Sequence, residues 1–427
     1  MWWALLGPFG LFLIIGVPVA IAIGVTSVLY LLVTGMYPQM LTVQRIVLTV
    51  EAWPLIAVPL FILAGGILAS GRTGTLIMDF AQKLVGHLSG GLAASLVVAN
   101  MIMGGISGSA AADASGLGSV CIPQMKKHGY PAYFAVSLNA VASPIGILIP
   151  PSIPMILYSW VSGASVAKLF LGGLIPGILV GIIQIAIVMY ISKKRGWYRE
   201  PKRASAREIL EALIYSWPAV LAPFLLIGSI LSGIFTATEV ASGLFVYALI
   251  VECAFYRTYD LRGLLEISAT SARTVGVVML VIATSNIFSH ILVTLHVPQY
   301  MTETVFHYTR NPVLILVWIN IALLIVGCFM DLTPAILIFT PVILPICHTL
   351  GMNDIQIGVM IVLNLAIGLF TPPVGTTLYI SCGIGQIGIE EGSRGILPFL
   401  FGMIIVLALV TQVPWISLGV GNFFFGK

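Results

Sequence analysis

Apolar runs of about 20 residues, the length a helix needs to cross a bilayer, follow one another along nearly the whole of this chain. Only 8% of its residues are charged and 59% are hydrophobic. A soluble domain carries about 25% charge, so too little is present here to clothe a water-facing surface. In hydrocarbon every backbone N–H and C=O must find an internal partner, which leaves helices and closed barrels. The roughly 10-residue alternating strands of a barrel are missing, so the chain reads as an all-α polytopic membrane protein. Its start, MWWALLGPFGLFLIIG, has no positive n-region and no small-residue cleavage site close behind, and is expected to be a retained first span. The Cys residues at 121, 253, 328, 347 and 382 form no C-x-x-C pair, and the His are equally scattered. Neither a metal cage nor a disulfide framework is expected, and no prosthetic group.

Charge distribution sets the expected topology. The segment KKRGWYREPKRASAR (193–207) holds seven of the 19 Lys and Arg. By the positive-inside rule it is cytoplasmic; a topology signal is expected at such a place, so nucleic acid is not read as a partner. Spans counted from that anchor are 212–233, 237–256 and 267–295 after it, and 168–192, 130–165, 54–71 and 3–35 before it. The N-terminus is then expected inside. The segments 88–125 and 311–349 are too long for one span, and parity requires each to return to its own side as a re-entrant hairpin.

An internal repeat accompanies this pattern. Pro123, Gly129, Gly146, Pro150, Pro151 and Pro176 each meet an identical residue 222 positions later, at Pro345, Gly351, Gly368, Pro372, Pro373 and Pro398, and Gly105 meets Gly327. Gly and Pro set backbone shape, so the halves are expected to share a fold. The first unit enters at 54–71 and the second leaves at 267–295, so the repeats are expected to be inverted. Inverted repeats with broken helices and a midplane site characterise secondary transporters. The expected organisation is an N-terminal scaffold segment 1–53, repeat 1 over 54–192, the basic loop 193–211, scaffold spans 212–266 and repeat 2 over 267–427.

Four stretches should break their helices at membrane depth: GGISGSAAADASG (104–116), its partner GCFMDLTPAILIFTP (327–341), SPIGILIPPSIP (143–154) and its partner LAIGLFTPPVGTT (365–377). Pro removes a hydrogen bond and clashes with the turn before it. The freed groups must be buried or line a wet cavity. Carbonyls and hydroxyls there are hard oxygen ligands that suit Na⁺, and half-helix N-termini suit a carboxylate. One Na⁺ site is placed among Ser107, Gly108, Ser109, Ser143 and Gly146. A second is placed among Met330, Asp331, Thr333, Gly368 and Thr371. Substrate is expected between them, against Ser107, Pro150, Pro151, Pro372, Gly375 and Thr376. Asp113 is open between a helix cap and an ion-coupling group. Glu239 is expected at a helix N-terminus or in an interhelical contact, and Arg45 and Glu51 as interfacial anchors.

The stretches PLFILAGGIL (59–68), GGISGSAAADASG, IGILIPPSIPMILY (145–158), FTATEVASG (235–243) and GLFTPPVGTTLY (368–379) resemble those of the large membrane subunit of tripartite ATP-independent periplasmic (TRAP) transporters. The likeness spans nearly the whole chain. One departure is the run Thr236-Ala237-Thr238-Glu239-Val240, where that family usually has Thr-Pro-Thr-Glu-Ala. The resemblance implies a small four-helix membrane subunit, a periplasmic substrate-binding protein and residence in the bacterial inner membrane. It implies Na⁺-driven import of an organic acid anion such as a C4-dicarboxylate, sialic acid or a related sugar acid. It also implies an elevator-type mechanism, with the ion-transporter-superfamily scaffold at 1–53 and 212–263 and moving parts around 88–165 and 311–386. The alternatives are a stand-alone anion exchanger or arsenite-type transporter of the same superfamily, and, more remotely, a rhomboid-type intramembrane serine protease on the Gly105-Ile106-Ser107-Gly108 match. A protease would need a His base near Ser107, and His128 and His290 carry no recognisable motif. ATP drive is disfavoured by the absence of G-x-x-x-x-G-K-[ST].

Overall fold

The computed structural model describes residues 2–35, 39–197, 203–231 and 234–426. Residues 198–202 of the basic loop lie outside them. All regular structure among the described residues is helical. The chain opens with α1 (Trp3–Ile14), α2 (Val19–Thr34), α3 (Gln39–Val50), α4 (Ala57–Ser70) and α5 (Arg72–Val85). A first hairpin follows, α6 (Gly91–Ser107) and α7 (Ala110–Lys127), then α8 (Ala132–Ala142), α9 (Ile153–Ser162) and α10 (Val166–Arg195). Beyond the basic loop come α11 (Ala206–Leu231), α12 (Ala237–Leu249), α13 (Leu261–Thr294) and α14 (Val297–Tyr308). The second hairpin is α15 (Pro312–Phe329) and α16 (Leu332–Thr349), followed by α17 (Asp354–Gly368), α18 (Thr376–Gly385), α19 (Ile389–Gly392), α20 (Leu397–Gln412) and α21 (Pro414–Phe425). Among the described residues seven helices are long and apolar enough to span a membrane, or up to eight if the bent α20–α21 pair counts as one.

A helix that is apolar on every side belongs at the centre of a bundle. Helix α17 is buried from Ile355 to Gly368, and α8 from Phe134 to Ala142. Around them α10, α11 and α13 turn Ile182, Phe224 and Val277 outward, as a lipid-facing surface requires. Lipid is as apolar as Leu, so helices here associate by close packing and small residues rather than by escape from water. The closest approaches fall at the hairpins. A Cβ at Gly104 would overlap the Gly146 backbone, and one at Gly327 would lie 3.2 Å from the Gly368 Cα.

Both hairpin segments are two helices joined by a two-residue tip, and each arm of the second is itself long and apolar enough to cross a membrane. Their second arms, α7 and α16, begin and end at positions that differ by the same 222 residues that relate the Gly and Pro pairs. Both Pro pairs interrupt helix as expected. Ser143–Ile147 is a 3₁₀ turn running into Pro150–Pro151, and α17 stops before Pro372–Pro373; both Pro–Pro bonds are cis.

One expectation is corrected, and two helices occupy segments between the expected spans and hairpins. The segment 3–35 is two helices, because Gly16 in the left-handed region and Pro18 at the N-cap of α2 break it. The segment between 71 and 88 carries the helix α5, whose Arg72, Asp79 and Lys83 lie on a strongly amphipathic cylinder. Helix α14 lies between the span ending near 295 and the second hairpin.

Candidate functional site

At the first tip the chain turns at Gly108, whose φ of 57° lets α6 end without a Cβ penalty. A Cβ there would also meet the Pro151 carbonyl oxygen at 2.6 Å, so the tip rests on the broken segment. Ser109 is the N-cap of α7, its Oγ accepting from the Ala112 N–H at 3.4 Å. Asp113 is therefore not the cap. It lies one turn inside, fully buried, and its Oδ1 accepts from the Ser107 Oγ at 2.5 Å. Its Oδ2 has no hydrogen-bond partner among the described residues and faces the place a Gly146 Cβ would fill.

An unpartnered carboxylate oxygen in a membrane bundle costs several kcal/mol unless something compensates it. The Ser107 hydroxyl and the close-packed backbones of Gly104 and Gly146 surround it. Close by, the Asn139 amide donates to the Ala114 carbonyl at 2.9 Å and the Ser381 hydroxyl at 2.8 Å, while its Oδ1 is buried without a partner. Asn100 Oδ1 on α6 is in the same condition. Carboxylate and amide oxygens of this kind are the ligands that hard cations take. Of the expected site-1 residues, the Ser143 hydroxyl is turned elsewhere, donating to the Asn139 carbonyl at 2.7 Å.

The second tip is built differently. Met330 ends α15 and Asp331 stands at the N-cap of α16 with its side chain exposed. The Val374 N–H donates to the Cys328 carbonyl at 3.2 Å, fixing the Pro372–Pro373 loop against the hairpin. Gly368 packs on the Gly327 backbone. The Thr371 hydroxyl donates to the Ile367 carbonyl at 2.6 Å. Under the repeat offset Asp331 corresponds to Ser109, not to Asp113. The two acids thus occupy positions one helical turn apart in otherwise matching frames.

The tips face a common cavity of about 160 Å³. Gly108, Ser109, Asp331, Thr333 and Thr376 line it, with Thr274 of α13 opposite. A second cavity of about 300 Å³ shares Ser109 and Thr274 with it and adds Ser107, Ser115, Thr270 and Ser271. Of the expected substrate contacts, Thr376 lines the first cavity and Ser107 the second. Pro150, Pro151, Pro372 and Gly375 line neither. Pro150 and Pro151 are buried, whereas Pro372 is exposed away from both cavities.

Glu239 forms a capping box with Thr236 at the start of α12, one of the two expected roles. Arg45 is exposed and lines a cavity with His290. No His lines the cavity that contains Ser107, or the one beside it. His128 caps the far end of the 18-residue α7, about 27 Å away along the axis, and the Ser107 hydroxyl already donates to a carboxylate. The arrangement cannot activate Ser107 as a nucleophile.

Sequence reasoning missed Gly104, Asn100, Asn139 and Thr274. Asn139 and Asn100 were visible as lone polar residues within apolar runs, a usable signal. Thr274 carried none, because only the packing of α13 against the hairpins brings it to the cavity.

The chain matches the family described as tripartite ATP-independent periplasmic transporter, DctM component, over residues 6–416. It is 36% identical over 411 residues to the sialic acid TRAP transporter large permease protein SiaM of Vibrio cholerae, with 96% of each chain covered. It is 35% identical over 374 residues to the C4-dicarboxylate TRAP transporter large permease protein DctM of Pseudomonas aeruginosa, covering 88% of this chain and 87% of that one. Among solved structures, MtrF of Neisseria gonorrhoeae, described with a class of antimetabolite efflux pumps, is similar with a TM-score of 0.55 at 13% identity, over 86% of this chain and 83% of that one. That last likeness concerns the fold alone.

Proposed function

The chain belongs to the DctM component family of tripartite ATP-independent periplasmic transporters, and from that premise we propose that it imports an organic acid anion by Na⁺-coupled, elevator-type alternating access. It is a transporter permease subunit rather than an enzyme. In this reading a periplasmic binding protein delivers the anion and a small membrane subunit completes the scaffold. The relatives' names point to sialic acid and C4-dicarboxylates as the class. Two relatives at nearly equal identity carry different substrates in their names, so the overall level of identity does not select between them.

The observation that carries the reading is the cavity onto which two helix N-termini open. The start of α7 at Ser109 and of α16 at Asp331 both line it. Helix N-termini present unpaired N–H groups and partial positive charge, which suit a carboxylate. Asp331 opposes that preference. Two like charges about 4 Å apart repel by ~4 kcal/mol at an effective dielectric constant of 20. A cation bound at Asp331 removes this repulsion, and a cation at Asp113 compensates its unpartnered oxygen. Anion binding is then favourable only with the ions in place, which is the differential affinity that coupling requires. Two inverted repeats would let the tips exchange access between the two faces.

The test is uptake into proteoliposomes holding the membrane subunits, with loaded binding protein outside. Uptake that follows an inward Na⁺ gradient is expected, and equal uptake when K⁺ replaces Na⁺ would overturn the coupling. Full uptake by this chain alone would instead favour a stand-alone exchanger.

A further inference from the structure

A third cavity, of about 300 Å³, lies where α3, α9, α13 and α16 meet. Its polar lining is Arg45, Trp160, Asn286, Ser289 and His290, and its remaining walls are apolar. No Asp or Glu lines it. On α13 the lining positions 286, 289, 290 and 293 follow i, i+3, i+4, i+7 spacing, so they form one face of the helix. A polar stripe on a membrane helix is costly unless it faces water or a ligand, and this one faces the cavity. Arg45 reaches it from α3 and makes no ion pair among the described residues. The site is therefore a permanent positive charge backed by neutral donors, an amide, a hydroxyl and an indole N–H.

We propose that this cavity is a second binding site, for a small carboxylate anion. A guanidinium fork takes a carboxylate in two parallel hydrogen bonds, and Asn286, Ser289 and Trp160 can donate to its remaining oxygens. The cavity sits near the end of α13 remote from Arg257 and Arg262, which are read as cytoplasmic. Resting on the import reading, it holds the anion on the outer side before transfer to the smaller cavity between the tips. The apolar walls from α16, including Pro341, place this holding site directly against the second hairpin.

The experiment uses the purified membrane complex in phosphatidylcholine nanodiscs and follows tryptophan fluorescence as acetate, succinate and sialic acid are added. A saturable change with at least one carboxylate is expected, and its loss in W160F assigns it to this cavity. R45Q and N286A should each raise the half-saturating concentration about tenfold or more, the effect of losing a charged or well-placed hydrogen bond. D331N, which alters the cavity between the tips, should leave the signal in place. No saturable change, or a change that R45Q and N286A both leave at the original affinity, overturns the proposal. So does a response to phosphatidylglycerol in the discs with none to carboxylates, which would make the site one for lipid phosphate. Na⁺-driven uptake measured on the same wild-type complex separates the two failures. Absent uptake sinks the import reading, whereas normal uptake with an unresponsive Arg45 cavity sinks only the second site.

Discussion

Two buried carboxylates at the residue scale show how the same group can serve binding or architecture. Asp113 accepts one hydrogen bond from Ser107 and leaves an oxygen unpartnered. Glu252, equally buried, leaves nothing over. It accepts from the Thr73 N–H at 2.9 Å, the Arg72 N–H at 3.1 Å, and the Thr73 and Thr258 hydroxyls, both at 2.5 Å. Glu252 thereby supplies the N-terminal cap of α5 from another part of the chain. Gly71 permits this, because a Cβ there would occupy the carboxylate's place. We expect E252A to strip several charged hydrogen bonds, each worth about 1.5–3 kcal/mol, and to lower the thermal midpoint clearly; a midpoint equal to the parent's would refute the capping role. D113N should keep the fold and raise the Na⁺ concentration for half-maximal uptake about tenfold or more, since it removes a formal charge from the cation's ligand set. Unchanged Na⁺ dependence would remove Asp113 from the coupling machinery. D331A is expected to alter that dependence too, and an unaltered Na⁺ affinity would count against its site role.

At the scale of elements, the hairpins depend on backbones that touch. Gly104 against Gly146 and Gly327 against Gly368 bring α6 and α15 onto the broken helices. G104A should force these elements apart and abolish uptake while leaving a membrane-inserted protein. Gly129 belongs to the same repeat-related set of glycines, yet its left-handed φ of 81° has nothing within 4 Å of a Cβ. G129A should cost only about 1 kcal/mol of backbone strain and transport at close to the parent rate. If both variants transport equally, the close contact is not functionally limiting. Gly146 and Gly368 were legible in the sequence because they recur with the Pro pairs. Their contact partners were not, because a helix–helix contact leaves no local pattern in either strand of sequence. The break at Gly16–Pro18 was legible in principle, but the apolar run around it outweighed two residues.

For the whole molecule, the elevator reading requires the hairpins to move against α4 and α13. Ile62 on α4 and Ala111 on α7 line both hydroxyl-rich cavities, one from each side of that boundary. A disulfide between Cys introduced at the two positions should arrest uptake under oxidation and release it under reduction, with each single Cys variant as control. Uptake that continues through the cross-linked protein would mean that α4 and α7 travel together. The five native Cys are free thiols, so the pair is introduced into a variant with these replaced by Ser or Ala.

The sequence by itself determined that the chain is a helical membrane protein, where its hairpins turn and where its helices break. Those properties follow from hydrophobic length and from Gly and Pro, whose effects on backbone are local. It also drew attention to Ser107, Ser109, Asp113 and Asp331, since polar groups are conspicuous against an apolar ground. Only the tertiary structure decided which of them meet. It made Ser109 the cap and freed Asp113 for another role, kept both Pro pairs off the cavity linings, and brought Thr274 and Arg45 to cavities from distant helices. Packing of small residues sets those distances, and packing is a property of pairs of helices that no single stretch of chain encodes.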